Sequence, residues 1–224
     1  MGTGISEVLT FAVAVAISPI AIIAVILMLF STRARVNGPA FLFGWVVALA
    51  ALSTVVYVLS HDGNVATNST AADSVSWGKI VLGVVFLLLA RRNWRNRPAS
   101  GAEQPMPKWM ARVDSLSPLQ AAGLGVVLAT VNPKNLILTI GSATGLAQLG
   151  LSTSDAVVAT AVFVLVGSLT IAGPVLYALV GGEKARVSLD SAKAWLGEHN
   201  AAVMAALFLV FGVDLIAKGL PPLT

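Results

Sequence analysis

The residue in this chain best placed to do chemistry is a lysine inside an otherwise charge-free stretch. Lys134 lies within Thr130-Val131-Asn132-Pro133-Lys134-Asn135, in an apolar run from Pro118 to Leu149. A charge at membrane depth costs several kcal/mol, so an intramembrane ionisable side chain marks a functional site by default. The neighbouring Pro133 lacks a backbone donor and breaks or kinks a helix. Ala16-Ile17-Ser18-Pro19 places a second proline break inside another apolar run. Amides that follow such breaks lie at new helix N-termini, which favour anions. Lys134 adds a full positive charge, and Ser18, Asn132, Asn135 and Thr139 add hydrogen-bonding groups. That set, with Pro19 and Pro133, suits a carboxylate, sulfate or phosphate head group. The plainer reading is a snorkelling lysine beside two ordinary kinks, and the depth of Lys134 argues against snorkelling.

The elements that must position these residues are membrane helices. Mean hydropathy is +0.87, with 57% hydrophobic and 11% charged residues, against ~25% charged in soluble domains. Several runs can cross a hydrocarbon core of ~30 Å. The chain reads as one integral membrane domain, all α, with six spans: Val8 to Phe30, Ala40 to Ser60, Val75 to Ala90, Pro118 to Leu149, Ala156 to Val180 and Asn200 to Ala217. No Lys or Arg precedes the first span, so it does not read as a cleaved signal peptide. Met1-Gly2-Thr3-Gly4-Ile5-Ser6 fits a loose myristoylation pattern, and Asn68-Ser69-Thr70 a glycosylation sequon; both patterns are common by chance.

Positive charge sets the expected orientation. Arg33, Arg35, Arg91, Arg92, Arg95, Arg97, Lys108, Arg112, Lys184, Arg186 and Lys193 are eleven of the 14 basic residues, and all fall in alternate loops. Those loops are expected in the cytoplasm, with both termini outside the plasma membrane. The basic balance then reflects topology and anionic lipid heads rather than nucleic acid. Segments from Met106 to Asp114 and from Val187 to His199 are expected to lie flat in the interface.

An odd number of spans on each side of the long loop implies an inverted 3+3 repeat: residues 1–90, a loop over 91–117, and residues 118–224. Pro118 to Leu149 would be about 48 Å long as one helix, too long for the bilayer, so spans 1 and 4 are expected to break at Ser18-Pro19 and Asn132-Pro133. Ser117 and Pro118 suit an N-cap and first helical position. Gly173-Pro174 suggests a third break or hinge, and Asp214 with Lys218, together with Lys79, candidate gate charges. Gly141 and Gly145 suggest close helix approach.

Catalysis finds little support. His61 and His199 fall at opposite faces, and neither a metal-ligand spacing, a phosphate loop nor a Ser-His-Asp set is visible. No cofactor, metal or enzymatic activity is expected. The absence of cysteine excludes disulfides and thiolate metal sites.

The proline in span 1 and Asn132-Pro133-Lys134 in span 4 resemble the lysine exporter (LysE) superfamily. Ile17-Ser18-Pro19, Asn132-Pro133-Lys134-Asn135 and Val166-Gly167-Ser168-Leu169-Thr170-Ile171-Ala172-Gly173-Pro174-Val175 are closer to its peptidoglycolipid-addressing (GAP) branch, which includes the sulfolipid-addressing proteins of actinobacteria. The resemblance implies export of a small molecule or glycolipid, with substrate contacts at Ser18, Pro19, Asn132, Pro133, Lys134, Asn135 and Thr139. An amino-acid exporter and a non-catalytic subunit of a lipid-synthesis complex stay open as alternatives, as does a homo-oligomer. A lateral, lipid-accessible groove beside Lys134 is the expected entry for an anionic amphiphile.

Overall fold

Prolines decide where this chain stops being helical, but only some of them do. The computed structural model describes residues 2–62, 77–97, 113 and 115–220. Its helices are α1 (Gly2–Ala16), α2 (Pro19–Phe30), α3 (Ala34–Asp62), α4 (Trp77–Arg95), α5 (Pro118–Thr130), α6 (Pro133–Gln148), α7 (Thr153–Val180) and α8 (Gly182–Gly219). No strand occurs among the described residues. The sequon at Asn68, Met1, and all of the segment from Met106 to Asp114 except Val113 lie outside them.

Pro19 and Pro133 each occupy the first position of a helix, where the missing N–H would have no intrahelical partner anyway. The chain bends by 56° between α1 and α2 and by 66° between α5 and α6. Both expected breaks therefore form. Ser117 caps α5 as expected: its hydroxyl accepts from the Gln120 amide, and the Gln120 side chain accepts from the Ser117 amide at 2.9 Å.

Gly173-Pro174 behaves differently. α7 runs through it as one helix, so the third break does not form. Ile171 and Val175, on either side, are 0% and 2% exposed, and packing on both sides of the proline holds the turn whose hydrogen bond it removes. A second correction concerns the C-terminal half. Val187 to His199 is not a separate interfacial segment but part of α8, a single helix of 38 residues.

By length and composition α3, α7 and α8 can cross a membrane, and counting each bent pair as one span makes five. The sixth expected span corresponds to α4, where Lys79, Arg91, Arg92 and Arg95 put four charges among 19 residues. Charge density, not length, keeps α4 out of that set.

The chain divides into two compact units, Met1–Val65 with Met106–Ala194, and Ala66–Pro105 with Trp195–Thr224. In the first, α3 packs against α5 at backbone distance. A Cβ added at Gly44 would lie 2.0 Å from the Ala122 carbonyl oxygen, and one at Gly125 2.3 Å from that of Phe41. Only glycine permits this approach. Trp45, Phe41, Ile26 and Phe163 are buried in the same unit. In the second unit, Phe86 of α4 meets Phe208 of α8 at 5.4 Å between ring centroids. Gly83 and Gly212 face each other there, with a Cβ at Gly83 only 2.7 Å from the Gly212 carbonyl.

Candidate functional site

A broken helix leaves carbonyls at its C-terminal end without intrahelical partners, and buried carbonyls must find donors elsewhere. At the end of α1 they find three. The Lys134 ammonium donates to Ala14 O at 2.6 Å and to Ile17 O at 3.0 Å. Ala16 O accepts from the Ser18 amide at 2.8 Å and from the Thr170 hydroxyl of α7. A cation at a helix C-terminus is also favoured by the helix dipole. Lys134 is 3% exposed, so these carbonyls are where its charge is stabilised.

The second break is closed from the same turn of α6. Asn135 Nδ2 donates to Leu128 O of α5 at 3.1 Å, while within α5 itself the Thr130 hydroxyl donates to Val126 O. Asn132 caps α6 by accepting the Lys134 amide at 3.1 Å. Lys134 and Asn135, adjacent in sequence, thus hold the ends of two different helices.

The structure brings Ser18, Lys134, Asn135 and Thr139 together as buried polar residues in the first unit. Asn132 is half-buried, Pro19 is buried and Pro133 exposed. Ser18 occupies the N-cap position of α2 but its side chain makes no cap hydrogen bond. Asn135 Oδ1 and Thr139 Oγ1 are buried without a partner among the described residues. They are one helical turn apart on α6, and such orphaned groups call for an explanation. The picture differs from the expected one in one respect: the cation does not stand open to an anion but rests on backbone carbonyls.

Residues offered as gates fall elsewhere. Asp214 and Lys218 form an ion pair of 3.0 Å on α8 in the second unit, both partly exposed. Lys79 is in α4, and its side chain lies outside the described residues. Gly173 has open space around it. Thr170 and Ser168, quoted above only as part of the span 5 motif and not as site residues, take part as well: the former donates to the α1 break and the latter is buried, donating to Val164 O. Glu7 was not among the expected site residues either. Gly141 lies against Phe11, and Glu7 Oε1 is 2.5 Å from where a Cβ on Gly145 would be, so this glycine pair packs α6 on α1 with a half-buried carboxylate between them. The signal for Glu7 was its position two turns before Ala14.

A cavity lies apart from Lys134. It measures about 460 Å³ and lies between α3 and α7, lined by Ala50, Thr54, Tyr57, Val157, Ala161 and Leu165 among others.

The family model for SfLAP, described as Sap, sulfolipid-1-addressing protein, matches residues 8–221. No curated protein and no solved structure matches the chain.

Proposed function

The chain belongs to the sulfolipid-1-addressing protein family, and from that premise we propose that it is a non-enzymatic plasma-membrane exporter of an anionic amphiphile, with a central site at the two helix breaks. The observation that carries this reading is the pair of orphaned polar atoms, Asn135 Oδ1 and Thr139 Oγ1, on the helix whose Lys134 joins both breaks. A substrate's sulfate, carboxylate or sugar hydroxyl supplies the missing partner for Thr139, and Lys134 supplies positive potential. Binding that draws on Lys134 also loosens its hold on Ala14 and Ile17, which couples occupancy to the angle between α1 and α2.

In the architecture we propose, α4 is a further span, giving six in an inverted 3+3 plan of the lysine-exporter type, with both termini outside. Three features support it. The two breaks occupy corresponding places. Spans 1, 2, 4 and 5 fall in one unit, and spans 3 and 6 in the other. Gly83 of span 3 and Gly212 of span 6 meet each other.

Thr139→Val tests the site. Valine keeps the volume and removes a hydroxyl that has no partner among the described residues, so stability should hold or rise. Transport of a fluorescent sulfated glycolipid in reconstituted vesicles should fall. Undiminished transport by a stable Thr139→Val protein, with Asn135→Leu equally active, sinks the proposed site. A second reading, amino-acid export, draws on Glu7, whose carboxylate could balance a substrate ammonium. Uptake of lysine or another amino acid by the same vesicles, lost in Glu7→Gln, would favour it.

A further inference from the structure

The cavity between α3 and α7 has a length and a polarity gradient of its own. Ala50, Thr54 and Tyr57 follow one face of α3, and Thr153, Ala156, Val157, Thr160, Ala161, Val164 and Leu165 one stripe of α7. From Thr153 to Leu165 the stripe runs ~18 Å along the helix, close to one leaflet of a bilayer whose hydrocarbon core is ~30 Å thick. Its volume of about 460 Å³ lies in the range of small-molecule sites. No charged residue lines it. Tyr57 and Thr153 lie at one end, Thr54 and Thr160 part-way along, and Ala50, Ala161, Val164 and Leu165 at the other end. Small side chains make the floor, and the rim is exposed apolar surface, Val157 at 62% and Leu165 at 68%. Both walls are helices long and apolar enough to span a membrane.

We propose that this cavity is a slot for one acyl chain of an amphiphilic lipid standing in a single leaflet. The head group lies at the Tyr57 and Thr153 end, and the chain end lies at Leu165. Tyrosine suits that level because its ring is apolar and its hydroxyl wet. Under the orientation argued above the leaflet is the outer one, so the slot receives lipid on the exit side. The inner end adjoins the break through α7 itself: Gly167 packs on Val15 of α1 and Leu49 of α3, and Thr170 donates to Ala16 O. Chains gain no hydrophobic free energy by leaving the bilayer for the slot, so shape selects the occupant. The inference rests on the reading of the protein as a lipid carrier and assigns it a chain site separate from Lys134.

The test uses the whole protein in nanodiscs containing phosphatidylglycerol with a diazirine either near the carbonyl or near the chain end. Adducts are mapped by mass spectrometry. The near-carbonyl probe should label the Tyr57 and Thr153 region and the chain-end probe the Ala161 to Leu165 region, each about tenfold above Leu209 and Val210 of α8, the ratio of a 1.4 kcal/mol preference. Ala161→Trp, and the milder Ala161→Leu should tryptophan disturb folding, should remove that enrichment. Even labelling of exposed apolar positions, a reversed order of the two probes, or adducts that give way to cross-links between two copies of the chain would overturn the slot. Transport without slot labelling refutes the slot alone, and slot labelling without transport refutes the exporter reading alone.

Discussion

Replacing Lys134 by methionine keeps an unbranched side chain one atom shorter and removes both the charge and the two hydrogen bonds to Ala14 O and Ile17 O. Two effects oppose each other. Each buried carbonyl left without a donor costs ~1–3 kcal/mol. Against that, an ammonium at 3% exposure carries a desolvation penalty that methionine does not, and hydrogen bonds within membranes average only about 0.6 kcal/mol because the unfolded reference also finds partners. The carbonyls win, since they stand at a break where no other donor of α1 can reach them, and the net loss should be ~1–3 kcal/mol, or ~5–150-fold in the folding equilibrium. Lys134→Arg should lose less, because guanidinium can serve both carbonyls at the expense of overpacking. Equilibrium unfolding in mixed micelles with rising dodecyl sulfate, followed by tryptophan fluorescence, measures both variants, with the buried Trp45 as reporter. A Met variant that unfolds at the wild-type midpoint would refute the argument that Lys134 holds the end of α1.

Other outcomes follow from contacts of known kind. Gly44→Ala and Gly125→Ala should each abolish the folded protein or cost several kcal/mol, because the new methyl meets a backbone oxygen of α5 or α3. Gly123→Ala, with nothing within 4 Å, should instead stabilise by ~0.5–1 kcal/mol; thermal stability of the three variants compares them directly. Asp214→Asn should change stability by less than ~1 kcal/mol, since its pair with Lys218 is partly exposed, and a larger loss in the same unfolding assay would mean the pair is buried by something else. Asn96→Cys in this cysteine-free chain should resist an impermeant thiol reagent in intact cells, and rapid labelling there would reverse the orientation.

Reading the chain from its residues reached the local features and stopped at the long-range ones. Ser117 as a capping residue, and the breaks at Pro19 and Pro133, were legible because each depends on hydrogen bonds within four or five positions of the residue itself. Glu7, by contrast, was not legible, because its position relative to Gly145 depends on how α1 lies on α6. Gly173-Pro174 carries the same local signal as the two real breaks, yet α7 stays whole. Whether a proline breaks a helix or is tolerated depends on the packing of the turns around it, as with Ile171 and Val175, and no local rule contains that information.

Composition alone determined that this chain is a bundle of apolar helices, since 57% hydrophobic residues in runs of this length have no soluble way to be covered. The sequence alone also placed a lysine beside a helix break. Only the tertiary structure decided what that lysine does there. Its partners, Ala14 O and Ile17 O, are 120 and 117 residues away, and backbone carbonyls carry no mark in a sequence. A side-chain type states what it can donate; the fold alone states which unsatisfied group comes within reach of it.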